Sequence, residues 1–460
     1  NGGAIESLTS NFSQWTMMSY VGRINYGLMD RYLLTASLRY DGSSRLSEGN
    51  KWALFPSAAI AWRITEEDFA KNLDWLSNLK LRFSYGQAGN TNSVSPYASE
   101  GTISGSVYYP FGTSTSVGNL PANIANPMLT WERTSEYNVG LDFGFLNQRI
   151  SGNIEYYNRT TNDLLMKRNI PVHLGYSSVT SNVGSVRNSG FELQLNTANI
   201  MTKNFAWNTT INLAYNKNEI VSLADEEDLS NYSIHLQGMR GRYSDKRFIG
   251  KPVDTNWTQN TIGVWQLGEE EEAAKYGCVP GNFKIKDYNN DGKLTDDDYI
   301  IDGKRTPDWT GGMTNMFKIY DFDFSFHMYF QAGATQYDRF FENFALEWNS
   351  QNFNNLRTNY WTPENPSNTM GRPSQMGSRG NIAYERTDFL KVSYITLGYT
   401  LNKRLMSKWG LDNARIYVTV QNPFILTKFR GLDPEQPDLT NIGDTDGMTM
   451  NALLGVNISF

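Results

Sequence analysis

The chain has little of several features that would define other classes of protein. Its 460 residues include one cysteine, Cys278, so no internal disulfide can form. No stretch of about 18 apolar residues occurs, which excludes a membrane protein built from helices. Lysine and arginine (41) are outnumbered by aspartate and glutamate (47), and the resulting net charge of -6 argues against a nucleic-acid partner.

Signals of catalysis are also few. The three histidines, His173, His235 and His327, are far apart and lack the spacing of metal ligands. No serine motif accompanies His327, and nothing marks one pair of carboxylates as a general acid and base. No glycine-rich loop follows a strand and opens a helix, which argues against nucleotide binding. The sequence therefore predicts a protein that is not an enzyme.

Aromatic residues, in contrast, are abundant and alternate with polar ones. Tyr (26), Phe (24) and Trp (12) make up 13% of the chain, and aromatic side chains favour strands. Between residues 322 and 330, Phe322, Phe324, Phe326 and Phe330 fall on one side of such an alternation. A period of two indicates a strand with one apolar face. The opposite face of these strands is mostly Asn, Thr, Ser and Gly, as a confined wet lumen would favour.

The alternation predicts an all-β fold of about thirteen strands. They are expected near residues 14–28, 32–44, 51–65, 79–88, 129–145, 149–165, 187–199, 203–222, 309–320, 322–335, 388–401, 412–423 and 450–460. Short turns at Met29, Leu146, Met201 and Tyr320 alternate with long connections. The long connections are expected near 89–128, 166–186, 223–308, 336–387 and 424–449. Short turns on one side and long loops on the other are typical of outer-membrane barrels, whose short side is periplasmic.

We therefore predict that residues 1–460 form one segment of a transmembrane antiparallel β-barrel in the bacterial outer membrane, in contact with lipid. The last strand alternates up to Phe460, and barrel-assembly machinery commonly recognises such aromatic-terminated strands. Single-chain bacterial barrels have even strand numbers, so thirteen indicates that strands are missing. Residues 1–4 resemble no signal peptide, and we expect a longer product whose missing part lies upstream.

One turn on the short side, residues 66–78, is longer than the others. Thr65 and Asp68 could cap a small helix there, which would carry Phe69, Leu73 and Leu76 on one face. We therefore predict one short helix on the periplasmic side.

Several motifs, taken in order, resemble those of the SusC/RagA-type TonB-dependent transporters. The first similar stretches are 36–44, Phe55-Pro56-Ser57 and 61–64. They are followed by 79–86 with Gly89-Asn90, and then by Asn182-Val183-Gly184 with 187–192. The last are Leu397-Gly398-Tyr399 and a stretch that runs from 414–418 through Gln421-Asn422 to 432–435. They occur in the family's order along nearly the whole chain, which makes chance similarity implausible.

The resemblance implies more than the residues do. Family members have a 22-stranded barrel filled by an N-terminal plug, so this chain would supply about thirteen C-terminal strands and no plug. A TonB protein pulls on the plug, and a SusD-like lipoprotein caps the extracellular mouth. The implied function is import of oligosaccharides, or of peptides in some members. We accordingly expect the plug, the remaining strands and the TonB contact on another chain or fragment.

Three other functions stay open at this point. Oligopeptide import would differ from oligosaccharide import only in the chemistry of the loops. A passive outer-membrane pore would be favoured if the full gene lacked a plug. A secreted all-β protein that binds or hydrolyses glycans would stay soluble without detergent.

The longest connection contains a calcium motif. In residues 287–298, oxygen ligands fall at positions 1, 3 and 5 (Asp287, Asn289 and Asp291), a glycine at 6, the carbonyl of Lys293 at 7 and Asp298 at 12. This is the spacing of an EF-hand-type loop, although Asp298 stands where glutamate is usual. We expect a structural calcium ion that pins the loop. The alternative is a solvated acidic turn.

Ligand contacts are expected from the long loops, because a rigid barrel holds binding residues there. Aromatic side chains in these loops could stack on sugar rings or hold peptide side chains. The candidates are Tyr108, Tyr109, Trp257, Trp265, Trp348 and Tyr360. The alternative for each is packing within the loop or contact with a lid protein.

Overall fold

A computed structural model gives the fold for residues 12–170, 175–176, 178–223, 230–231, 240–242, 247–346, 358–373, 378–436 and 448–460. Thirteen long strands form one antiparallel sheet. They are β1 (Met17–Leu28), β2 (Tyr32–Ser43), β3 (Trp52–Arg63), β4 (Leu76–Asn90), β5 (Glu132–Phe145), β6 (Ile150–Asn162), β7 (Ser185–Met201), β8 (Phe205–Ser222), β9 (Trp309–Ile319), β10 (Phe322–Ala332), β11 (Phe389–Thr400), β12 (Asn413–Thr427) and β13 (Asn451–Ser459). The all-β fold and all thirteen predicted strands are confirmed.

Each strand pairs with its neighbours in sequence, in the order β1 to β13. Pairing of this kind follows from the short turns, since a tight connection places consecutive strands side by side. Within the described part of the chain, β1 pairs only with β2, and β13 pairs only with β12. The sheet therefore has two edges whose backbone groups have no strand partner in these residues.

One face of the sheet is apolar because side chains alternate along every strand. Apolar rows cross the sheet from strand to strand. In one row Leu81 pairs with Leu141, Leu141 with Ile154, and Ile154 with Leu193. Leu81 is 41% exposed and Ile154 is 47% exposed. Apolar rows left open in this way are those that face lipid in a membrane barrel, so this is the outer face.

Aromatic residues lie towards both ends of the outer face. On the side of the long connections, Tyr40 stacks on Trp52 with ring centroids 4.9 Å apart. On the side of the short turns, Trp207 stacks on Phe317 at 5.6 Å. In β2, Tyr32 and Tyr40 are separated by about 27 Å along the strand at ~3.4 Å per residue, which is about 21 Å across the membrane for a strand tilted by ~40° and near the ~25 Å height of an apolar band. The two belts mark the membrane interfaces.

Several short turns place non-glycine residues in the left-handed region. Met29 and Asp30 have φ of 53° and 55°, and Leu146 and Asn147 have φ of 53° and 56°. Positive φ at both central residues gives a turn whose twist matches that of the flanking strands. The strands therefore impose a conformation that Met and Leu rarely adopt by themselves.

The predicted small helix in residues 66–78 is wrong. A 3-10 helix, Ile64–Glu66, is followed by turns up to the start of β4. Glu67 explains the difference, because its carboxylate accepts hydrogen bonds from Arg31 Nη1 at 3.0 Å, the Tyr32 hydroxyl at 2.7 Å and Trp62 Nε1 at 3.0 Å. These bonds tie the turn to the ends of β2 and β3. The Glu67 carbonyl accepts from Ala70 N at 2.9 Å and Lys71 N at 3.1 Å, so a single helical turn follows and does not continue as a helix.

The long connections contain short paired strands. These pairs are Ile103–Phe111 with Ser114–Pro121, Leu165–Asn169 with Ser178–Asn182, Thr255–Gln259 with Tyr299–Lys304, Thr261–Val264 with Phe283–Ile285, and Thr335–Tyr337 with Tyr384–Arg386; Ser230–Asn231, Arg240–Arg242 and Arg247–Phe248 form a three-stranded group.

The other helical elements of the described residues are short. They are Glu270–Lys275, Arg339–Phe341, Lys403–Met406, the 3-10 helices Asp296–Asp298 and Ser407–Trp409, and the π-helix Glu342–Leu346. In the part of the chain that is described, no helix has the length and apolar content to cross a membrane.

Two long connections share one hydrophobic core and form what we call the loop unit, which comprises residues 255–308, 335–346, 358–373 and 378–386. Val264 and Phe283 of the first connection pack in one cluster with Phe341 and Trp361 of the second. Hydrogen bonds join them as well, since Asn256 Nδ2 donates to the Thr335 carbonyl at 2.7 Å. Connections of this length are folded because each contributes part of a core that neither completes alone.

A second core closes the end of the barrel wall. It comprises Leu46, Ala53, Phe55, Val94, Leu129, Trp131 and Leu165. Phe55 of β3 meets the Trp131 ring edge-on at 5.4 Å. Gly89 lies between the two rings, where a Cβ atom would be 2.1 Å from Phe55 Cζ and 2.7 Å from Trp131 Cε3. Only glycine leaves room for this contact.

Gly89→Ala is therefore expected to destabilise the protein by about 1–3 kcal/mol, the usual cost of overpacking. The free energy of unfolding in urea, followed by tryptophan fluorescence in detergent, measures the loss. Gly22→Ala in β1 is the matched control, since no atom lies within 4 Å of a Cβ built there. Equal stability of the two variants would contradict the packing of Phe55 against Trp131.

Candidate functional site

The inner face of the sheet is polar and concave. A cavity of about 700 Å³ lies over β1 to β7, and its lining includes Arg23, Ser37 and Arg159. A second cavity of about 380 Å³ lies over β6 to β10 and is lined in part by Asn212 and His327. Hydroxyl, amide and charged groups on a surface shielded from lipid provide a hydrated path for a polar solute.

An ion network crosses the inner face of β4, β5 and β6. Arg82 donates to Asp142 from Nη2 at 2.7 Å and from Nε at 3.0 Å, and its Nη2 also reaches Glu155 Oε1 at 2.8 Å. Lys80 Nζ lies 2.7 Å from Asp142 Oδ2. The four side chains are between 20% and 32% exposed. Partial burial and two-fold contacts make this network stronger than an isolated surface ion pair.

Glycines make room for the guanidinium groups on this wall. Gly140 pairs with Arg82 across the β4–β5 ladder, and a Cβ atom there would lie 2.9 Å from Arg82 Nη2. Arg415 Nε donates to Asp323 Oδ1 at 2.8 Å, and a Cβ on Gly398 would lie 2.5 Å from Arg415 Nη2. Both arginines therefore lie against the wall above a glycine of the neighbouring strand, and each reaches across it to a carboxylate on the strand beyond, Glu155 on β6 and Asp323 on β10.

His327 belongs to the same polar wall. Its Nδ1 is 2.9 Å from the hydroxyl of Thr314, and its ring stacks on Tyr394 with centroids 5.7 Å apart. These contacts hold the ring against the sheet and give it the role of a lining residue.

Two predicted ligand residues, Trp257 and Trp265, are 5% exposed and lie inside the loops. Trp257 stacks on Tyr299 with ring centroids 5.6 Å apart. Trp265 stacks on Tyr276 at 6.0 Å and lies 4.1 Å below Lys284 Nζ. Their observed contacts are packing contacts, and their contact with a ligand stays a prediction.

The other four predicted ligand residues have different surroundings. The hydroxyl of Tyr360 donates to the Ala345 carbonyl at 2.8 Å inside the loop unit. Tyr108 and Tyr109 lie on the projecting strand Ile103–Phe111 and are 67% and 41% exposed. Trp348 lies outside the described residues. Among the described residues, Tyr360 packs against the core of the loop unit, whereas Tyr108 and Tyr109 lie apart from it on a separate hairpin.

The predicted calcium loop is formed as a tight acidic turn. Asp287 Oδ2 accepts from Gly292 N at 2.9 Å, and Asn289 Nδ2 donates to Asp291 Oδ2 at 3.1 Å. The two carboxylate oxygens of Asp298, which is fully buried, accept from Tyr288 N and Thr295 N, each at 2.8 Å. Gly292 has φ of 80°, which supplies the sharp bend. Calcium binding itself stays a prediction.

The surroundings of Asp287 favour its ionised carboxylate. Burial alone would raise the pKa of Asp287, but the N–H of Gly292, the Tyr276 hydroxyl and the N–H of Asn290 hold that pKa below its usual value. Among the described residues, no three His, Cys, Asp or Glu side chains are close enough together to hold a metal ion. A bound ion would therefore rely on Asn289 and on the Lys293 carbonyl beside the carboxylates.

Sequence reasoning did not single out the ion network on the inner wall. Arg82 and Asp142 are 60 residues apart in the sequence, and only the register of β4 with β5 brings them together. The only trace in the sequence is that charged residues occupy lumen positions of adjacent strands, with Gly140 at the position paired with Arg82. Register cannot be read from either strand alone, so the sequence does not reveal which charges meet.

The comparisons with known proteins agree with this geometry. The family described as TonB dependent receptor-like, beta-barrel, matches residues 2–422. The chain is 35% identical over 457 residues to TonB-dependent receptor SusC of Bacteroides thetaiotaomicron, covering 97% of this chain and 44% of SusC. It is 33% identical over 471 residues to TonB-dependent receptor P26 of Formosa agariphila, covering 98% of this chain and 47% of P26.

A solved structure, that of the RagAB peptide transporter, has the same fold. It superposes with a TM-score of 0.78 at 24% identity, over 97% of this chain and 48% of that chain. At this identity the likeness establishes the fold alone. The chain spans slightly less than half the length of the relatives that it matches.

The apolar outer face, the two aromatic belts and the polar inner wall together define an outer-membrane β-barrel. The chain belongs to the TonB-dependent receptor β-barrel family and is of the SusC/RagA type. The family resemblance and the outer-membrane location predicted from the sequence are thereby confirmed.

Arg82→Met is expected to destabilise the barrel by about 1–2 kcal/mol, because Asp142 and Glu155 lose their shared cation in a partly shielded site. The free energy of unfolding in detergent measures the effect. Arg23→Met changes the same residue type on the same face outside this network, and we expect less than about 0.5 kcal/mol there. An equal loss in both variants would show that the network adds no stability.

Proposed function

We propose that the whole protein to which this chain belongs imports oligosaccharides across the outer membrane by TonB-dependent transport. The observation that carries the TonB-dependent part of the proposal is the 35% identity to TonB-dependent receptor SusC over 97% of this chain; the oligosaccharide class is the expectation drawn from the family resemblance. The polar inner wall supports it, since hydroxyl and amide side chains can hydrogen-bond a hydrated cargo that is neither strongly acidic nor strongly basic. Catalysis forms no part of the proposed function.

Oligopeptides are the second substrate class. The solved structure with the same fold is that of the RagAB peptide transporter, but at 24% identity the similarity establishes the fold and says nothing about the cargo. The charged groups that would pair with peptide termini could come from the wall network around Arg82 and Asp142. A measurement of uptake separates the two classes.

The open edges of the sheet are evidence that its strands belong to a larger barrel. β1 and β13 each leave one row of N–H and C=O groups without a strand partner in the described residues, and unpaired edges are not tolerated in lipid. We infer that about nine further strands of the whole protein close the barrel between β13 and β1. The plug and the contact with TonB would lie in that remaining part as well.

A hairpin with exposed apolar side chains is evidence for a protein partner at the extracellular mouth. The strands Ile103–Phe111 and Ser114–Pro121 form an isolated pair, and Ile103, Tyr108 and Val117 are 70%, 67% and 66% exposed. An isolated two-stranded hairpin with exposed apolar side chains gains stability when another surface covers it. We propose that a SusD-like lipoprotein provides this surface and caps the mouth.

Uptake of labelled oligosaccharides and of oligopeptides of equal mass, in cells with and without the whole protein and its lipoprotein, tests the transport proposal. We expect saturable oligosaccharide uptake that a protonophore abolishes, because the energy comes from the inner-membrane proton gradient. Uptake that survives the protonophore would indicate a passive pore. Gradient-dependent peptide uptake without oligosaccharide uptake would overturn the substrate class and leave the mechanism intact.

We also propose a structural calcium ion in the loop 287–298. The supporting observations are the ligand spacing, the left-handed Gly292 and the contact between Asn289 and Asp291. The ion would add positive charge beside the buried Asp298 and bridge the two ends of the turn. It would hold the loop unit in place and take no part in transport chemistry.

Calcium at about 100 times its dissociation constant is expected to stabilise the protein by ~2.7 kcal/mol relative to protein in chelator. Thermal unfolding with and without chelator, together with elemental analysis, measures this. Asp298→Asn should remove the effect, whereas Asp296→Asn, an exposed non-ligand position in the same loop, should retain it. Unchanged thermal unfolding of the unmodified protein in chelator would remove the proposal.

A further inference from the structure

A small ribbon in the loop unit has one buried face. Its strands Thr335–Tyr337 and Tyr384–Arg386 pair antiparallel, and the pairing continues as Asp338 N donates to the Ala383 carbonyl at 2.8 Å. Side chains at every second position of paired strands share a face. The residues on this face are Ala334, Gln336, Asp338, Ala383, Glu385 and Thr387.

The segment 428–433, which follows β12, covers this face. Arg430 donates from its backbone N to Glu385 Oε2 at 3.1 Å and from Nε to Glu385 Oε1. Its guanidinium group lies 4.0 Å over the ring of Phe341. A Cβ atom on Gly431 would be 3.0 Å from Asp338 Oδ1. We call this contact of residues 334–341 and 383–387 with residues 428–433 the loop junction.

Asp338 is fully buried in the loop junction. Its Oδ1 accepts from Phe341 N at 2.9 Å and so caps the helix Arg339–Phe341. Its Oδ2 is buried and has no hydrogen-bond partner among the described residues. An ionised carboxylate with one unsatisfied buried oxygen is costly. The packing therefore favours the neutral acid over the ion.

The charged groups around Asp338 leave that preference in place. Burial raises the pKa of Asp338 to about 6; the N–H of Phe341 opposes this rise, the Glu385 carboxylate adds to it, and Arg430 opposes it. Arg430 is hydrogen-bonded to Glu385, so its charge compensates an ionised Asp338 only in part. In the next helical turn, Glu342 pairs with Arg379 at 3.8 Å.

We propose that Asp338 is a proton switch that joins two extracellular connections of the barrel when it is neutral and releases them when it ionises. This inference does not depend on the cargo and goes beyond the transport function. It gives the mouth of the barrel a response to the pH of the medium in addition to any response to cargo or partner.

The sign of the effect follows from linkage. An acid whose pKa rises from 3.8 to about 6 on packing favours the packed junction fully below pH 3.8. That preference is lost as the pH rises through about 6. A shift of about two pH units corresponds to a change of about 100-fold in the ratio of packed to released junction. The released form should therefore gain population in neutral medium.

The test measures the distance between spin labels on the two connections in the whole protein. Labels at Glu364→Cys and Gln436→Cys occupy exposed positions on either side of the junction, in a Cys278→Ser background that removes the buried native thiol. We expect a short distance at pH 4, and at pH 7.5 a second and longer distance whose share rises as the pH increases from 3.8 to about 6 and not above that. Asp338→Asn, which stays neutral, should keep the short distance at both pH values.

Glu385→Gln is the second variant and has a distinct expectation. It removes the negative charge beside Asp338 and leaves Arg430 able to pair with Asp338, so the ratio of packed to released junction should change less between pH 4 and pH 7.5. A purely structural role for Glu385 would lower that ratio by the same factor at both pH values. An unmodified protein with the same distances at pH 4 and 7.5, or an Asp338→Asn variant that titrates like it, would overturn the proposal. If Asp338→Asn does not insert, the pH response of Glu385→Gln decides.

Discussion

Backbone hydrogen bonding in lipid is the constraint on which the rest of this structure depends. No water is available inside the membrane, and each unpaired N–H or C=O costs several kcal/mol. The chain meets this constraint with thirteen strands that pair in sequence order, interrupted by only a few irregularities such as the one between Val392 and Tyr394. Continuous pairing fixes the alternation of side chains, and alternation separates the apolar rows that face lipid from the polar wall.

Since the backbone is committed to pairing along the sheet, the side chains of the wall and the connections carry the function. Charged groups on the wall are held by partners on the next strand or the one beyond it, as Arg82 is by Asp142 and Glu155, and glycines such as Gly140 give them space. The connections, freed from the lipid constraint, build cores of their own. The same physics that makes the wall rigid therefore places the adjustable parts of the molecule, including the junction at Asp338, outside the membrane.

The sequence predicted much of the fold and little of the site. A period of two with short turns is local information, and it located all thirteen strands to within a few residues. The turn 66–78 was mispredicted because Glu67 bonds to Arg31, Tyr32 and Trp62, whose proximity depends on the register of β2 and β3. The burial of Trp257 and Trp265 could not be predicted either, because it depends on how their own connection folds back, which brings Phe248 and Tyr299 against Trp257 and Cys278 into the core around Trp265. Register and loop packing are non-local, and neither has a signature within one segment.

The central claim is that this chain supplies a contiguous set of thirteen strands to a larger closed barrel in the outer membrane. A cryo-electron microscopy map of the whole protein, purified from outer membranes in mild detergent with whatever accompanies it, tests this most directly. We predict that β1 and β13 will each be hydrogen-bonded to a strand from outside residues 1–460. A closed barrel in which β1 pairs directly with β13 would contradict the account.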